Sequence, residues 1–202
     1  NAGIRLTPPY SELILELEGD LSQNAAREEA VRNLASCEAE SIPAVLHYLS
    51  QRDVFTHISI TEAFRAMDPS AAASAIERAI NKGDFSATHL LLYLLGEIGG
   101  QDAFRILRTY LNSPETKERA MAIRGIWRTG FVPPTGEIAH LADDESEAVR
   151  RYLVHILGRA SDFTSLRLLR KLLLDRNYNV RFAAAEALER RGGANKRSEE
   201  DK

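Results

Sequence analysis

Apolar residues recur along this chain with a period of 31 residues. Two apolar rows pass through five successive units at this spacing: Val45, Ile76, Leu107, Ile138 and Leu169 form one, and Leu49, Ile80, Leu111, Ala142 and Leu173 form the other. Within each unit the apolar positions follow i, i+3, i+4 and i+7, the spacing that places them on one face of an α-helix. A fixed period of this size is typical of solenoids, in which each unit buries its apolar face by stacking on its neighbours.

The pattern predicts pairs of helices joined by short turns. The first helices of the pairs are expected near 23–36, 55–67, 86–98, 116–129, 146–159 and 177–191, and the second helices near 40–50, 70–81, 101–112, 134–142 and 163–174. Prolines near the predicted starts and glycines near the predicted ends agree with this layout. No segment alternates with period two over a useful length, so no sheet is expected. We predict an all-α fold, a right-handed α-solenoid of about five to six helix pairs.

The repeats predict one elongated domain. We expect it to cover residues 1–193, with an N-terminal capping helix over 1–20 and the repeats over 21–193. Residues 194–202 are charged or small and lack large apolar side chains, which predicts a disordered tail. No apolar run approaches the roughly 20 residues that span a bilayer, so we expect no membrane insertion of this segment and a cytoplasmic location. Numbering opens on Asn1 rather than on Met, and we expect the native N-terminus, with any leader or anchor, to lie upstream.

Two segments of the C-terminal half resemble a known repeat family. The runs "LADDESEAVRRYLVHILG" from residue 141 and "LLLDRNYNVRFAAAEAL" from residue 172 are similar to HEAT repeats of the short bacterial type, which also occur in phycobilin lyases. In that family an Asp in the turn precedes a Val-Arg pair, and the Asp and Arg of successive units form a ladder along the solenoid. The resemblance implies that the ladder residues here are Asp144, Arg150, Asp175 and Arg181.

The resemblance weakens towards the N-terminus. The preceding unit keeps Arg119 but has Ser113 at the Asp position, and the earlier units have Thr88 and His57 at the Arg position. It covers about residues 21–192 by period but only about 110–192 by motif. It implies an architecture rather than an activity, because one fold carries many functions.

Charge is distributed unevenly along the chain. The net charge is -3, but residues 1–100 carry 7 Lys+Arg against 14 Asp+Glu, while residues 101–193 carry 16 against 12. In short helical solenoids the second helices line the concave face. The residues that the period projects onto this face towards the C-terminal end, and that we predict to bind a partner, are Arg105, Arg108, Tyr110, His140, Arg167, Arg170 and Lys171. Guanidinium groups recognise carboxylates bidentately, which predicts a protein partner with an acidic segment. The alternative is a solvated helix face.

Trp127 is the most conspicuous single residue. It is the chain's one tryptophan, and the units before and after it have Gly96 and Gly158 at the same position of the repeat. We expect Trp127 to pack on Phe131, at a break in the period caused by Pro133-Pro134. The alternative is that Trp127 and Phe131 form a binding hot spot.

No catalytic constellation or metal site is predicted. The chain has one cysteine, Cys37, which excludes an internal disulfide and a zinc site built on several thiolates. Its five histidines are scattered without metal-ligand spacing, and no glycine-rich phosphate loop follows a strand. The negative net charge argues against nucleic acid as a partner. We expect no cofactor.

These observations favour a non-catalytic scaffold or adaptor that binds a protein along the concave face. Two alternatives stay open at this stage. One is a subunit of a phycobilin lyase-like enzyme, whose arginines would bind the propionates of a tetrapyrrole. The other is a structural segment of a larger, membrane-anchored protein.

Overall fold

The computed structural model describes residues 61–62, 64–83 and 88–200, with side chains described to residue 192. Its α-helices are α1 (Pro69–Lys82), α2 (Thr88–Ile98), α3 (Gly100–Thr109), α4 (Thr116–Thr129), α5 (Thr135–Ile138), α6 (Glu147–Leu157), α7 (Phe163–Leu172) and α8 (Tyr178–Glu200). The described residues contain no strand. The prediction of an all-α solenoid of stacked helix pairs is confirmed. The predicted cap over residues 1–20 and the earliest repeats lie outside the described residues.

The helices form two layers. The first helices are α2, α4, α6 and α8, and the second helices are α1, α3, α5 and α7; successive first helices pack on each other, and each pair is closed by contacts between the layers. The core lies between the layers. The four described members of the first apolar row, Ile76, Leu107, Ile138 and Leu169, are all completely buried. Burial of one such side chain contributes about 1.5–3 kcal/mol, so this row stabilises every described unit.

Helix ends follow from local side-chain and glycine chemistry. Asp68 caps α1 by accepting a hydrogen bond from the backbone N–H of Ala71, and Asp162 caps α7 by accepting one from Ser165. Gly130 ends α4 with a φ of 81°. This left-handed conformation is one that glycine adopts without steric cost.

A pair of glycines lets α2 and α4 approach each other closely. A Cβ atom added to Gly96 would lie 2.5 Å from the Cα of Gly125, and one added to Gly125 would lie 2.8 Å from the side chain of Leu107. Real Cβ atoms do not approach backbone this closely. The crossing of these two first helices therefore requires the absence of a side chain at Gly96, whereas a Cβ at Gly125 would press on the end of the Leu107 side chain of α3.

The structure differs most from the predicted helix boundaries in three places. The predicted helix near 101–112 is α-helical only to Thr109 and continues as a 3-10 helix over Tyr110–Asn112. The predicted helix near 134–142 is α-helical only over Thr135–Ile138 and continues as a 3-10 helix over Ala139–Asp143. At the other end, α8 extends to Glu200, through the segment predicted to be a disordered tail. Two glycines at 192 and 193 weaken a helix by about 1 kcal/mol each relative to Ala, but the Ala, Lys, Arg and Glu residues that follow favour it.

None of the helices in the described residues is both long enough and apolar enough to cross a membrane.

Candidate functional site

The Asp–Arg ladder joins each turn to the next unit. Arg150 donates from Nη1 to the backbone carbonyls of Asp144 and Glu145, at 2.6 and 3.1 Å, within its own turn. Its Nε and Nη2 donate to the two carboxylate oxygens of Asp175 in the following unit, at 2.7 and 3.0 Å. Asp175 also accepts a hydrogen bond from the backbone N–H of Asn177. Arg150 thus contacts Asp144, six residues before it, through the backbone carbonyl of that residue. The carboxylate that pairs with Arg150 belongs to Asp175 in the next turn.

Arg119 repeats this arrangement one unit earlier. It donates to the carbonyls of Ser113 and Pro114 and to the carboxylate of Asp144, whose nearest oxygen lies 2.7 Å from Nε. A serine is sufficient at position 113, where the later units have Asp, because Arg119 binds the backbone carbonyl of this residue and not its side chain. Arg181 donates to the carbonyls of Asp175 and Arg176 in the same way, but it meets no carboxylate within the described residues.

The ladder groups are held in their charged forms. Burial raises the pKa of Asp144, but the guanidinium of Arg119 and the backbone N–H of Ser146 outweigh it and hold that pKa below its ordinary value. The same balance, with Arg150 and Asn177 as partners, lowers the pKa of Asp175. Because these groups already satisfy one another, the ladder is a structural element of the stack.

Most basic residues of the predicted partner face are engaged in ion pairs between units. Arg105 donates two hydrogen bonds to Glu77, at 2.9 and 2.8 Å. Arg108 is paired with Glu137, and Nζ of Lys171 lies 2.6 Å from each carboxylate oxygen of Asp143. These pairs join second helices of successive units, so the three cations are neutralised before any partner binds.

Arg167 and Arg170 differ from the other cations of this face. Both are exposed on α7, and neither has an ion-pair or hydrogen-bond partner in the part of the chain that the structure describes. The period explains the case of Arg167, since Ala139 stands at the repeat position where Glu77 pairs with Arg105 two units earlier.

Two exposed apolar side chains accompany these arginines. Phe163 is 76% exposed and Leu174 is 86% exposed. Their spacing from Arg167 and Arg170 places all four side chains on one side of α7 and its C-terminal turn. We call Phe163, Arg167, Arg170 and Leu174 the α7 surface.

The remaining predicted face residues contribute less. Tyr110 is half-buried against the core, and burial raises the pKa of its hydroxyl, as do the charges of Glu118 and Glu77. His140 is exposed in the 3-10 helix after α5. The structure therefore separates the predicted set into paired cations, a core-facing tyrosine and the two free arginines on α7.

Trp127 and Phe131 make separate aromatic contacts. Trp127 packs on Tyr152 and His155 of the next first helix, with ring centroids 5.7 and 5.4 Å apart. Phe131 stacks on Phe104 of α3 at 5.1 Å. The predicted packing of Trp127 on Phe131 is replaced by these two contacts because α4 ends between them and the chain turns towards the other layer at Gly130.

Glu97 is an important residue that the sequence analysis missed. Its carboxylate is 2% exposed and accepts hydrogen bonds from Arg65, Arg124 and Arg128 on neighbouring helices. Burial raises the pKa of Glu97, but the three guanidinium groups outweigh it and hold the pKa below its ordinary value. The available signal was that Arg128 lies 31 residues after Glu97, so that opposite charges occupy one position of successive units.

No group of three or more potential metal ligands occurs within the described ranges. In the charged clusters that do occur there, at Glu97 and along the ladder, the carboxylates are paired with guanidinium groups, while Nη1 of Arg124 is buried without a partner among the described residues.

Comparison with known proteins supports the repeat architecture. Residues 137–199, which run from α5 into α8 and contain the best-formed ladder, match the family model of HEAT repeats. No curated protein matches the chain.

Engineered proteins are among the solved structures that are similar to this chain. One is described only as an engineered protein, has 17% identity and a TM-score of 0.44, and the match covers 91% of this chain and 98% of that one. Another is a designed armadillo repeat protein in complex with the peptide (KR)4, with 15% identity, a TM-score of 0.44, and coverage of 90% of this chain and 98% of that one.

Proposed function

Because residues 137–199 match HEAT repeats and the described residues form stacked helix pairs, we propose that this chain is a non-catalytic scaffold that binds an acidic segment of a partner protein at the α7 surface. Repeat folds of this kind commonly serve protein interaction through their extended surfaces. The observation that carries the proposal is that Arg167 and Arg170 are unpaired while Arg105, Arg108 and Lys171 are neutralised by carboxylates of adjacent units.

The composition of the α7 surface suits a peptide with both acidic and apolar residues. Two free guanidinium groups offer bidentate hydrogen bonds to carboxylates. Phe163 and Leu174 are large apolar side chains that are more than three-quarters exposed. Covering them with apolar side chains of a partner would remove apolar surface from water, which favours association.

A groove next to the α7 surface adds room for a partner side chain. It has a volume of about 430 Å³ and lies between α7 and the turn that precedes α6. Its lining residues are Ala142, Asp143, Asp144, Arg150, Lys171, Leu172, Leu174, Asp175 and Arg176, and its three carboxylates are paired with Lys171, Arg119 and Arg150. Leu174 belongs to both the groove and the α7 surface, so the two are adjacent. An extended segment of the partner that contacts Arg167 and Arg170 would therefore be able to place its next side chain in the groove.

The experiment measures binding of a defined probe. An amphipathic peptide of alternating Glu and Leu residues is titrated into the purified chain by calorimetry, with the corresponding Gln-for-Glu peptide as the neutral control. We expect saturable binding of the acidic peptide, weakened about tenfold or more by the double substitution Arg167→Glu and Arg170→Glu, since each lost charge-assisted contact is worth about 1.5–3 kcal/mol.

Arg78→Glu is the matched charge reversal. Arg78 is also exposed on a second helix and stands at the repeat position of Lys171, three units earlier. If Arg78→Glu weakens binding as much as Arg170→Glu does, the effect comes from net charge and the α7 surface is not the binding site. Equal binding of the neutral peptide also contradicts the proposal.

A further inference from the structure

A second groove lies in the first-helix layer, away from the α7 surface. It has a volume of about 530 Å³ and lies where α4 and α6 end against α8. Its lining residues are Trp127, His155, Gly158, Arg159, Arg190 and Arg191, and they include no carboxylate. We call it the Trp127 groove.

The break in the repeat creates this groove. Trp127 stands at the position where the next unit has Gly158, so a large ring lies beside a residue that has no side chain. The ring is held from one side by Tyr152 and His155. At Gly158 a Cβ atom would lie 3.2 Å from the Cβ of Ala187, so α6 and α8 are close together there. The aromatic wall is therefore rigid, and the space opposite it stays open.

Two of the three arginines are held in place by hydrogen bonds to uncharged groups. Nη1 of Arg159 donates to the backbone carbonyl of Trp127 at 2.8 Å, and Nη1 of Arg191 donates to the hydroxyl of Ser165 at 2.9 Å. Arg190 has no hydrogen-bond or ion-pair partner among the described residues. Each guanidinium carries five N–H donors, so most of the donors of this cluster are unused.

His155 gives the groove a neutral polar group. Burial lowers the pKa of this imidazole, and the charges of Arg151, Arg190 and Arg159 lower it further, while Glu186 acts in the opposite direction. With its pKa below the ordinary value of about 6.5, the ring is uncharged at neutral pH and is able to donate and to accept a hydrogen bond.

We propose that the Trp127 groove binds a phosphomonoester group. Such a group carries a charge of about -1.5 to -2 at neutral pH and three strong acceptor oxygens, which matches three guanidinium groups that lack a counter-ion among the described residues. A single carboxylate has two oxygens and one charge and would leave part of the cluster unpaired. The phosphate comes either from a phosphorylated side chain of a protein or from a small phosphorylated metabolite.

The chain provides its own signal for this site. Trp127 is the only tryptophan beside six tyrosines, so fluorescence excited at wavelengths that tyrosine does not absorb reports on the groove. A phosphoserine peptide and a nucleoside monophosphate are titrated in parallel arms, with sulfate and the unphosphorylated peptide as controls. We expect a saturable change in fluorescence with at least one phosphomonoester, and the arm with the lower dissociation constant identifies the source. Calorimetry on the same samples detects binding that does not alter the fluorescence.

Arg190→Gln is the test variant, because Arg190 is exposed and makes no contact on which the fold depends. We expect it to weaken phosphomonoester binding about tenfold or more, as the loss of a hydrogen bond to a charged group predicts. Arg78→Gln, which removes an exposed arginine of α1 outside both the α7 surface and the Trp127 groove, is expected to leave the dissociation constant unchanged. Absence of saturable binding in both arms, equal binding of sulfate, or equal losses in the two variants would overturn the proposal. None of these results depends on whether the α7 surface binds an acidic peptide.

Discussion

At the scale of single residues, the same arginine of the repeat occupies two different environments. Arg150 is 3% exposed and has both the carbonyls of its own turn and the carboxylate of Asp175 as partners. Arg181 has the equivalent carbonyls, but no carboxylate partner within the described part of the chain. Comparing them separates the contribution of the carboxylate from that of the backbone contacts.

We expect Arg150→Met to lower the free energy of unfolding by about 3–5 kcal/mol, because it leaves the largely buried carboxylate of Asp175 without its cation. The Met side chain retains the apolar part of Arg150. Arg181→Met is the matched control, and we expect it to cost about 1 kcal/mol or less, since it removes hydrogen bonds to carbonyls near the surface and a contact with the exposed Tyr178 ring. Urea unfolding of the two variants measures both values. Equal losses would mean that the bonds to the turn carbonyls, rather than the ion pair, stabilise the stack.

The sequence identified the ladder residues but not their pairing. Asp144 and Arg150 lie six residues apart, and in a 31-residue repeat this same spacing places Arg150 25 residues before Asp175. Both separations recur with the repeat, so the sequence does not show whether Arg150 pairs with Asp144 or with Asp175. The pairing is decided by the packing of successive turns. This packing brings the carboxylate of Asp175 next to Nε and Nη2 of Arg150, while Nη1 binds the carbonyls of its own turn. Packing of this kind depends on distances between units that a periodic pattern does not contain.

At the scale of helices, the 31-residue period predicted most boundaries within a few residues because helix ends carry local signals such as Asp68, Asp162 and Gly130. The short α5 follows from opposing local preferences over residues 133–142, where prolines fix the start and a glycine lies in the first turn. The close approach of α2 and α4 is different. It depends on Gly96 and Gly125 meeting across two helices, and neither glycine is a boundary signal.

We expect Gly96→Ala to lower the free energy of unfolding by about 2 kcal/mol or more, because its Cβ would lie 2.5 Å from the Cα of Gly125 and the backbone of α2 or α4 must move. Gly136→Ala is the matched control in α5, where a Cβ atom would meet nothing within 4 Å. There the same substitution is expected to stabilise by about 0.5–1 kcal/mol through helix propensity. Thermal and urea unfolding distinguish the two. Gly96→Ala without loss of stability would show that the two helices separate at little cost.

At the scale of the whole molecule, charge pairing between units determines both the stack and the candidate surfaces. The sequence located the basic rows on the second helices, but it could not identify the unpaired cations. Arg105 and Glu77 are 28 residues apart, as are Lys171 and Asp143, whereas the sequence period is 31. The difference of three residues is about one helical turn, so each cation pairs with a carboxylate one turn away from its own position in the preceding unit. Only the assembled stack therefore distinguishes Arg167 and Arg170 from the neutralised cations.

The carboxylates that join units predict how the whole stack responds to acid. The folded-state pKa values of Glu97, Asp144 and Asp175 are below their ordinary values. A lowered folded-state pKa contributes stability that is present above the unfolded-state pKa of about 4 and is lost as the pH falls through the folded-state value. We therefore expect the free energy of unfolding to be steady near neutrality and to fall as the pH drops below about 4.

Glu97→Gln tests how much of this acid response comes from the most buried carboxylate. Because the substitution leaves three guanidinium groups without their shared anion, we expect it to cost about 3 kcal/mol at pH 7. Protonation of Glu97 removes the same charge in the wild type, so the difference between the two proteins should shrink as the pH falls towards 3. Glu137→Gln is the control, since Glu137 is exposed and pairs only with Arg108, and exposed pairs contribute about 0–1 kcal/mol. Urea unfolding from pH 7 to 3 measures all three proteins. A difference between wild type and Glu97→Gln that stays constant over this range would mean that the carboxylate acts through its shape and hydrogen bonds rather than through its charge.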